Sequence, residues 1–258
     1  MSSFLGVPVD AAYHLVSGLT GILTPALGGL AAVAAIVVFT MAVRLLLMPL
    51  SLRALRGQAA QARLAPQLLA LRQRYGKQPE RLQREMTALY QREGASMFAG
   101  FGPLLLQWPF LSVMYLLFRS PTVGGTANTL LTHDLFGVPL GAHWLSGAGL
   151  AGVHGAVFVG LFALLAGLCW LSARLGRLMT AQVTGAKPVA GSPGLLVRAL
   201  PYLTVVIAAF APLAAGIYLL TTLAWSLAER MLYARKAGPL SAPAAVRAAG
   251  GSLRSGPA

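Results

Sequence analysis

Arg44 is the residue of this sequence whose chemistry most needs an explanation. It interrupts a long apolar run, and six more residues that favour lipid, 45–50, follow it before the chain becomes basic. Six helical residues rise about 9 Å, so this long side chain could extend to the polar boundary of a membrane. Alternatively, Arg44 faces a watery cavity between helices and binds an acidic group. The sequence leaves both interpretations open.

Other polar side chains interrupt the apolar stretches only rarely. Thr40 precedes Arg44 by four residues, which places both on the same face of a helix. Gln107 lies between Pro103 and Pro109 in a second apolar stretch. A hydrogen bond between two helices would explain Gln107, and a position in a polar cavity would explain it equally well.

Enzymatic chemistry finds little support in the sequence. His133, Asp134 and His143 lack a credible spacing for metal ligands. Ser96 and His154 are the residue types of a serine protease, but we predict them near opposite sides of a membrane. No phosphate-binding glycine motif is present. We therefore expect a protein that is not an enzyme and uses no metal or cofactor.

The composition is that of an integral membrane protein. Hydrophobic residues make up 57% of the 258 residues and charged residues only 10%, against about 25% in a typical soluble domain. Twenty Lys and Arg stand against six Asp and Glu. Retention of positive segments in the cytoplasm explains most of this excess, and binding of anionic lipid or nucleic acid is the alternative.

The apolar stretches predict five membrane spans, at about 26–50, 95–118, 149–172, 197–210 and 212–230. Residues 51–93 hold nine Lys or Arg and three Glu, so we expect this segment, residues 174–198 and the tail inside the cell, and the N-terminus outside. Pro212 divides the last stretch into two short spans; one long tilted helix is the alternative.

Three regions follow from this division. Residues 1–25 form an outer segment, either an interfacial helix or an unstructured tail. Residues 26–235 form the five-span core, and 236–258 form a disordered basic tail.

Residues 51–93 predict a helical hairpin on the cytoplasmic side. Apolar residues recur at helical spacing in 51–75 and again in 80–93, and Gly76 and Pro79 mark a turn between them. Its basic face either serves only to keep this segment in the cytoplasm, or docks a ribosome, a nascent chain or anionic lipid. The basic residues that we expect to make these contacts are Arg72, Arg74, Lys77, Arg81 and Arg84.

Several motifs in order resemble one known family. Arg44 followed by Pro49, the hairpin end "LQREMTALYQREG", the segment "PLLLQWPF" and the closing stretch "LPYLTVVIAAFAPLAAGIYLLTTLAWSLAER" together resemble the YidC/Oxa/Alb membrane protein insertases. The resemblance covers about 30–235. The large periplasmic domain of Gram-negative members has no counterpart, so the likeness is to compact actinobacterial-type members.

This resemblance implies an all-α membrane protein whose five spans enclose a hydrophilic groove open to the cytoplasm and the lipid. Arg44 would be the positive charge of the groove, and Thr40 and Gln107 match groove positions. Tyr218 matches the aromatic start of a motif in the last span, although Leu219 follows where many members carry a second aromatic residue.

The resemblance also implies a function. The protein would insert nascent membrane proteins into the bacterial plasma membrane and help them fold, alone or with the Sec translocon. The ribosome and membrane lipids are further candidate partners, and no specific nucleic-acid sequence is expected. The rival functions are a small transporter or channel for an anionic solute, against which the lack of an internal repeat argues, and a structural scaffold that would tolerate loss of Arg44.

Overall fold

The computed structural model describes residues 6–94, 102–144, 152–184 and 202–237. These residues are mostly helical. The helices are α1 (Gly6–Leu27), α2 (Ala31–Leu46), α3 (Met48–Tyr75), α4 (Pro79–Arg92), α5 (Gly102–Arg119), α6 (Val153–Thr184), α7 (Leu203–Phe210) and α8 (Leu213–Ala237). Two short antiparallel hairpins, β1 (Thr122–Val123) with β2 (Thr126–Ala127) and β3 (Asp134–Leu135) with β4 (Val138–Pro139), lie between α5 and α6, and the structure is consistent with the all-α prediction. Ser96, the first residues of predicted spans two, three and four, and most of the predicted tail lie outside the described residues.

The first apolar stretch forms two helices. Gly6–Leu46 spans 41 residues, about twice the 20 or so that one crossing needs. A 3-10 turn at Gly28–Leu30 separates α1 from α2, and Gly28 has a φ of +53°, a conformation that suits glycine. Residues 6–25 are therefore helical and not an unstructured tail. Their position on the outer interface stays a prediction.

Within the described ranges, two stretches are long and apolar enough to cross a membrane, Gly6–Leu46 and Val153–Gly176. The second lies in α6 and agrees with predicted span three. These stretches support a membrane protein. The number of spans and their direction stay predictions.

The predicted hairpin helices are confirmed. α3 and α4 pack against each other, and Gly76 follows the last residue of α3. Pro79 opens α4, a position where its missing N–H costs nothing. α3 begins at Met48 and not at residue 51, because only Leu47 separates it from α2 and Pro49 is accommodated in its first turn.

The predicted break at Pro212 is also confirmed. α7 ends at Phe210, Ala211 is extended, and α8 begins at Leu213. The first N–H groups of a helix lack partners within it. Here Leu213 N–H donates to the Ala142 carbonyl and Ala214 N–H to the Leu140 carbonyl, both at 2.9 Å. The segment after β4 therefore holds the start of α8.

α8 is the central helix of the described structure, since it contacts α2, α3, α5, α6 and α7. Its first turns are buried. At Gly216 the neighbouring helix comes very close: a Cβ added there would lie 2.5 Å from the Leu161 side chain of α6. The largest fully buried side chains of the described structure include Ile36, Met114, Leu117, Phe118, Leu140 and Leu165, which come from α2, α5, α6 and the segment between α5 and α6.

Asn128 joins the segment between α5 and α6 to the end of α5. Its Nδ2 donates to the Leu117 carbonyl at 2.7 Å and to the Ser120 carbonyl at 3.0 Å. These carbonyls belong to the last turn of α5 and the residue after it, where no helical N–H follows to bond them. Nearby, the Tyr13 hydroxyl of α1 donates to the Ala127 carbonyl at 3.3 Å. These side chains tie this segment to α1 and α5.

We expect Asn128→Asp to destabilise the protein by about 1–3 kcal/mol, because the two carbonyls lose their donor and face a carboxylate oxygen. Thermal unfolding of the purified protein in detergent measures the change. Thr132→Ala is the control, since its hydroxyl bond to the Thr129 carbonyl is exposed; its effect should stay within about 0.5 kcal/mol. Equal unfolding midpoints for Asn128→Asp and wild type would contradict the capping role.

Candidate functional site: a charged cavity beside α8

A cavity lies between α2, α3, α5 and α8. Its empty volume is about 740 Å³, its open mouth included. Apolar side chains form much of the wall, and charged and hydroxyl-bearing side chains interrupt it. The lining residues are Phe39, Thr40, Val43, Arg44, Leu47, Ser51, Leu55, Gln58, Phe110, Met114, Tyr218, Ser226, Glu229 and Arg230.

Arg44 lies in the last turn of α2 and lines this cavity. Its side chain is neither fully buried nor fully exposed. Glu229 and Tyr218, both on α8, are close enough to interact with it electrostatically. Arg44 therefore lies at a cavity between helices, and the choice between the two interpretations open from the sequence stays a prediction. What Arg44 does there stays a prediction.

Thr40 and Tyr218 line the same cavity. Both residues are almost completely buried, at 3% and 4% exposure. The Thr40 hydroxyl donates to the Ile36 carbonyl at 2.7 Å, which satisfies its donor within the helix and leaves its oxygen able to accept. The structure thus brings Arg44, Thr40 and Tyr218 together. Gln107 lies in α5, but its side chain lies outside the described part of the chain.

Glu229 belongs to the site. Sequence reasoning included it in predicted span five but assigned it no role in a groove. The residue is 7% exposed. Oε1 accepts hydrogen bonds from Ser51 Oγ of α3 and from Trp225 Nε1, one turn earlier in α8, each at 2.8 Å. A carboxylate this deeply buried needs such partners. The contact with Ser51 also joins α3 to α8.

Arg230 is the second residue that sequence reasoning missed. It lines the cavity, and its Nη1 donates to Ser172 Oγ of α6 at 3.0 Å. Both residues lie at the end of predicted span five, 212–230, but no motif in the sequence assigned them to a groove. α8 continues beyond them to Ala237. One signal could have found them. Ser226, Glu229 and Arg230 follow Tyr218 by 8, 11 and 12 residues, spacings that place all four toward one side of a helix.

The cavity therefore holds charges of both signs. In the described structure, the charged side chains that line it are Arg44, Arg230 and Glu229. Two positive charges and one negative charge leave a formal excess of one. The sequence predicted only the charge of Arg44.

The basic residues of the hairpin lie elsewhere. Arg72, Arg74, Lys77, Arg81 and Arg84 are all exposed, and in the part of the chain that the structure describes none of them lines the cavity. The guanidinium groups of Arg74 and Arg81 lie 5.4 and 5.2 Å from the centre of the Tyr75 ring. Arg84 and Glu80 approach to 3.9 Å, but an exposed pair of this kind adds little stability.

The chain matches a known family along most of its length. A sequence profile described as "60Kd inner membrane protein" matches residues 23–239. The chain therefore belongs to this family of membrane proteins, which confirms the resemblance to the YidC/Oxa insertases.

Individual relatives match over shorter segments. The chain is 33% identical over 86 residues to "Membrane protein insertase YidC" of Clostridium tetani, which covers 33% of this chain and 39% of that protein. It is 34% identical over 101 residues to the protein of the same name from Clostridium perfringens, covering 39% and 42%. It is 39% identical over 85 residues to "Membrane protein insertase YidC 1" of Halalkalibacterium halodurans, covering 31% and 33%. The chain thus covers less than half the length of these relatives.

We expect Ser51→Ala to destabilise the protein by about 1.5–3 kcal/mol, because a hydrogen bond to a buried charged group is lost. Ser112→Ala is the matched control. It makes the same change within a helix, at a hydroxyl that bonds to the Trp108 carbonyl of its own helix. Thermal unfolding in detergent compares the two variants. Equal shifts in both would mean that the bond to Glu229 adds nothing to the joining of α3 and α8.

Proposed function

We propose that this protein inserts integral membrane proteins into the bacterial plasma membrane and helps them fold. One observation carries the proposal: Arg44, Thr40 and Tyr218, which the sequence selected as groove residues, line a single cavity. The membership of the chain in a family that contains proteins named membrane protein insertases supports the same conclusion. The work is non-enzymatic and needs no cofactor.

In this proposal the protein crosses the membrane five times, with its N-terminus outside and its C-terminus inside. The spans include α2, α5, α6, α7 and α8, and the hairpin of α3 and α4 lies in the cytoplasm. The nine basic residues of 51–93 support this direction. The break between α7 and α8 at Pro212 supports two short final crossings.

The cavity would act as a groove that lowers the cost of moving polar groups through lipid. An unsatisfied backbone polar group in hydrocarbon costs several kcal/mol. A substrate's hydrophilic segment would enter the groove from the cytoplasm and lie beside Arg44, while its apolar segment slides into lipid along α5 and α8. The burial of that apolar segment and the membrane potential, about 2.3 kcal/mol per charge per 100 mV, would drive the step.

Partners on the cytoplasmic side follow from the exposed basic residues of the hairpin. Arg72, Arg74, Lys77, Arg81 and Arg84 offer an electrostatic surface for a ribosome that carries a nascent membrane protein, or for anionic lipid. The Sec translocon is a further partner in this proposal. Such a surface recognises negative charge and not a specific nucleic-acid sequence.

The experiment that tests this function is insertion by the purified protein in liposomes. The substrate is a single-span protein with a short acidic outer tail, and protection from added protease measures insertion. We expect wild type and Arg44→Lys to insert it, and Arg44→Ala to insert it about tenfold less, equivalent to about 1.4 kcal/mol. Arg119→Ala is the matched control, because Arg119 is exposed at the end of α5, away from the cavity.

Two results would contradict the proposal. If Arg44→Ala inserts as well as wild type, Arg44 is only an anchor at the membrane boundary. If wild type inserts no more than liposomes without protein, the insertase function fails. In that case, anion flux measured through the same liposomes tests the transporter alternative.

A further inference from the structure

We propose that Glu229 determines the charge selectivity of the cavity, so that it accepts hydrophilic segments that carry a basic residue as well as acidic ones. This inference rests on the proposed insertase function and names the substrate class of the same site. The observations that carry it are the position of Glu229, the way its carboxylate is held, and its charged neighbours.

The position of Glu229 puts a negative charge into the cavity. The residue is 7% exposed, yet it lines the same cavity as Arg44 and Arg230. It interacts electrostatically with both arginines. A substrate group that enters the cavity therefore meets a carboxylate as well as two guanidinium groups.

The carboxylate is also held in place. Ser51 Oγ from α3 and Trp225 Nε1 from α8 both donate to Oε1. Two donors from two helices restrict the orientation of the group. A fixed charge acts on an incoming substrate without first having to reorganise.

The electrostatic consequence concerns which substrates enter. Charges interact more strongly in a cavity of low dielectric constant than in water. A cavity lined only by arginines would attract acidic segments and repel basic ones, because like charges placed together are unfavourable. Glu229 weakens the field of Arg44 on an acidic group and offers a partner to a lysine or arginine. The cavity then discriminates less between the two.

A purely structural role is the competing explanation, since Glu229 also joins α3 to α8 through Ser51. The two roles predict different results. Loss of a structural contact would lower insertion of every substrate by the same factor. Loss of the charge would change the ratio between substrates that differ only in charge.

The experiment uses the full-length protein in liposomes without an imposed potential, so that no external field acts on the substrate. Three substrates are identical except for one position in the tail that crosses, which is Asp, Asn or Lys. Each is tested with wild type, Glu229→Gln and Glu229→Asp. Glu93→Gln is the matched control, because it removes one negative charge at an exposed residue of the hairpin.

We expect Glu229→Gln to lower insertion of the Lys substrate about fivefold relative to the Asn substrate, and to leave the Asp substrate unchanged or improved. Glu229→Asp and Glu93→Gln should keep the wild-type ratio. Gln58→Glu gives a second test that leaves Glu229 in place: it adds a carboxylate to the cavity wall, and insertion of the Lys substrate should rise relative to the Asp substrate.

Equal losses for all three substrates in Glu229→Gln would overturn the inference and leave Glu229 as a structural link. An unchanged ratio in Gln58→Glu would also overturn it, even if Glu229→Gln failed to fold. If wild type inserts none of the three substrates, the insertase function itself fails, and this inference fails with it. That result differs from a selectivity failure, in which wild type remains active.

Discussion

Polar groups that enter an apolar environment must find partners inside the protein, and both ends of α8 illustrate this constraint. At its start, the carbonyls of Leu140 and Ala142 accept the N–H groups of Leu213 and Ala214. Near its end, Ser51 and Trp225 hold the carboxylate of Glu229. Because α8 is fixed at both ends, the walls of the cavity beside it keep a defined separation.

The same constraint explains the contacts of the segment between α5 and α6. A helix that ends in a mostly apolar protein leaves carbonyl groups without donors. Asn128 supplies donors to the end of α5, and the segment after β4 supplies acceptors to the start of α8. The described part of this segment therefore supplies partners to the ends of two helices, α5 and α8.

A cavity with charges of both signs differs from one that contains a single arginine. A lone buried positive charge would hold an acidic segment strongly and release it slowly. Arg44 and Arg230 line the same cavity as Glu229, so an acidic or a basic group that enters it meets a charge of the opposite sign. The exposed basic residues of the hairpin do not line this cavity.

The sequence by itself determined the membrane character, the hairpin of α3 and α4 and the break at Pro212. Each follows from local chemistry: composition, helical spacing of apolar residues, and the missing N–H of proline. It also selected Arg44, Thr40 and Tyr218, the first two through their spacing on one helix and the third through family resemblance. The sequence did not predict where helices end within residues 45–50. α2 ends and α3 begins there, but the residues on both sides of that boundary are apolar, so no change in composition marks it.

Only the tertiary structure decided that Glu229 and Arg230 belong to the cavity. In the sequence they stand at the end of predicted span five, next to a basic stretch, and no pattern there assigned them a role. They reach the cavity because α8 continues to Ala237 and because α3 and α6 bring Ser51 and Ser172 to them. These partners are 178 and 58 residues away in the chain. The physical reason is that a buried charge is tolerated only where it has hydrogen-bond partners. Here those partners come from distant parts of the chain, which local sequence patterns do not reveal.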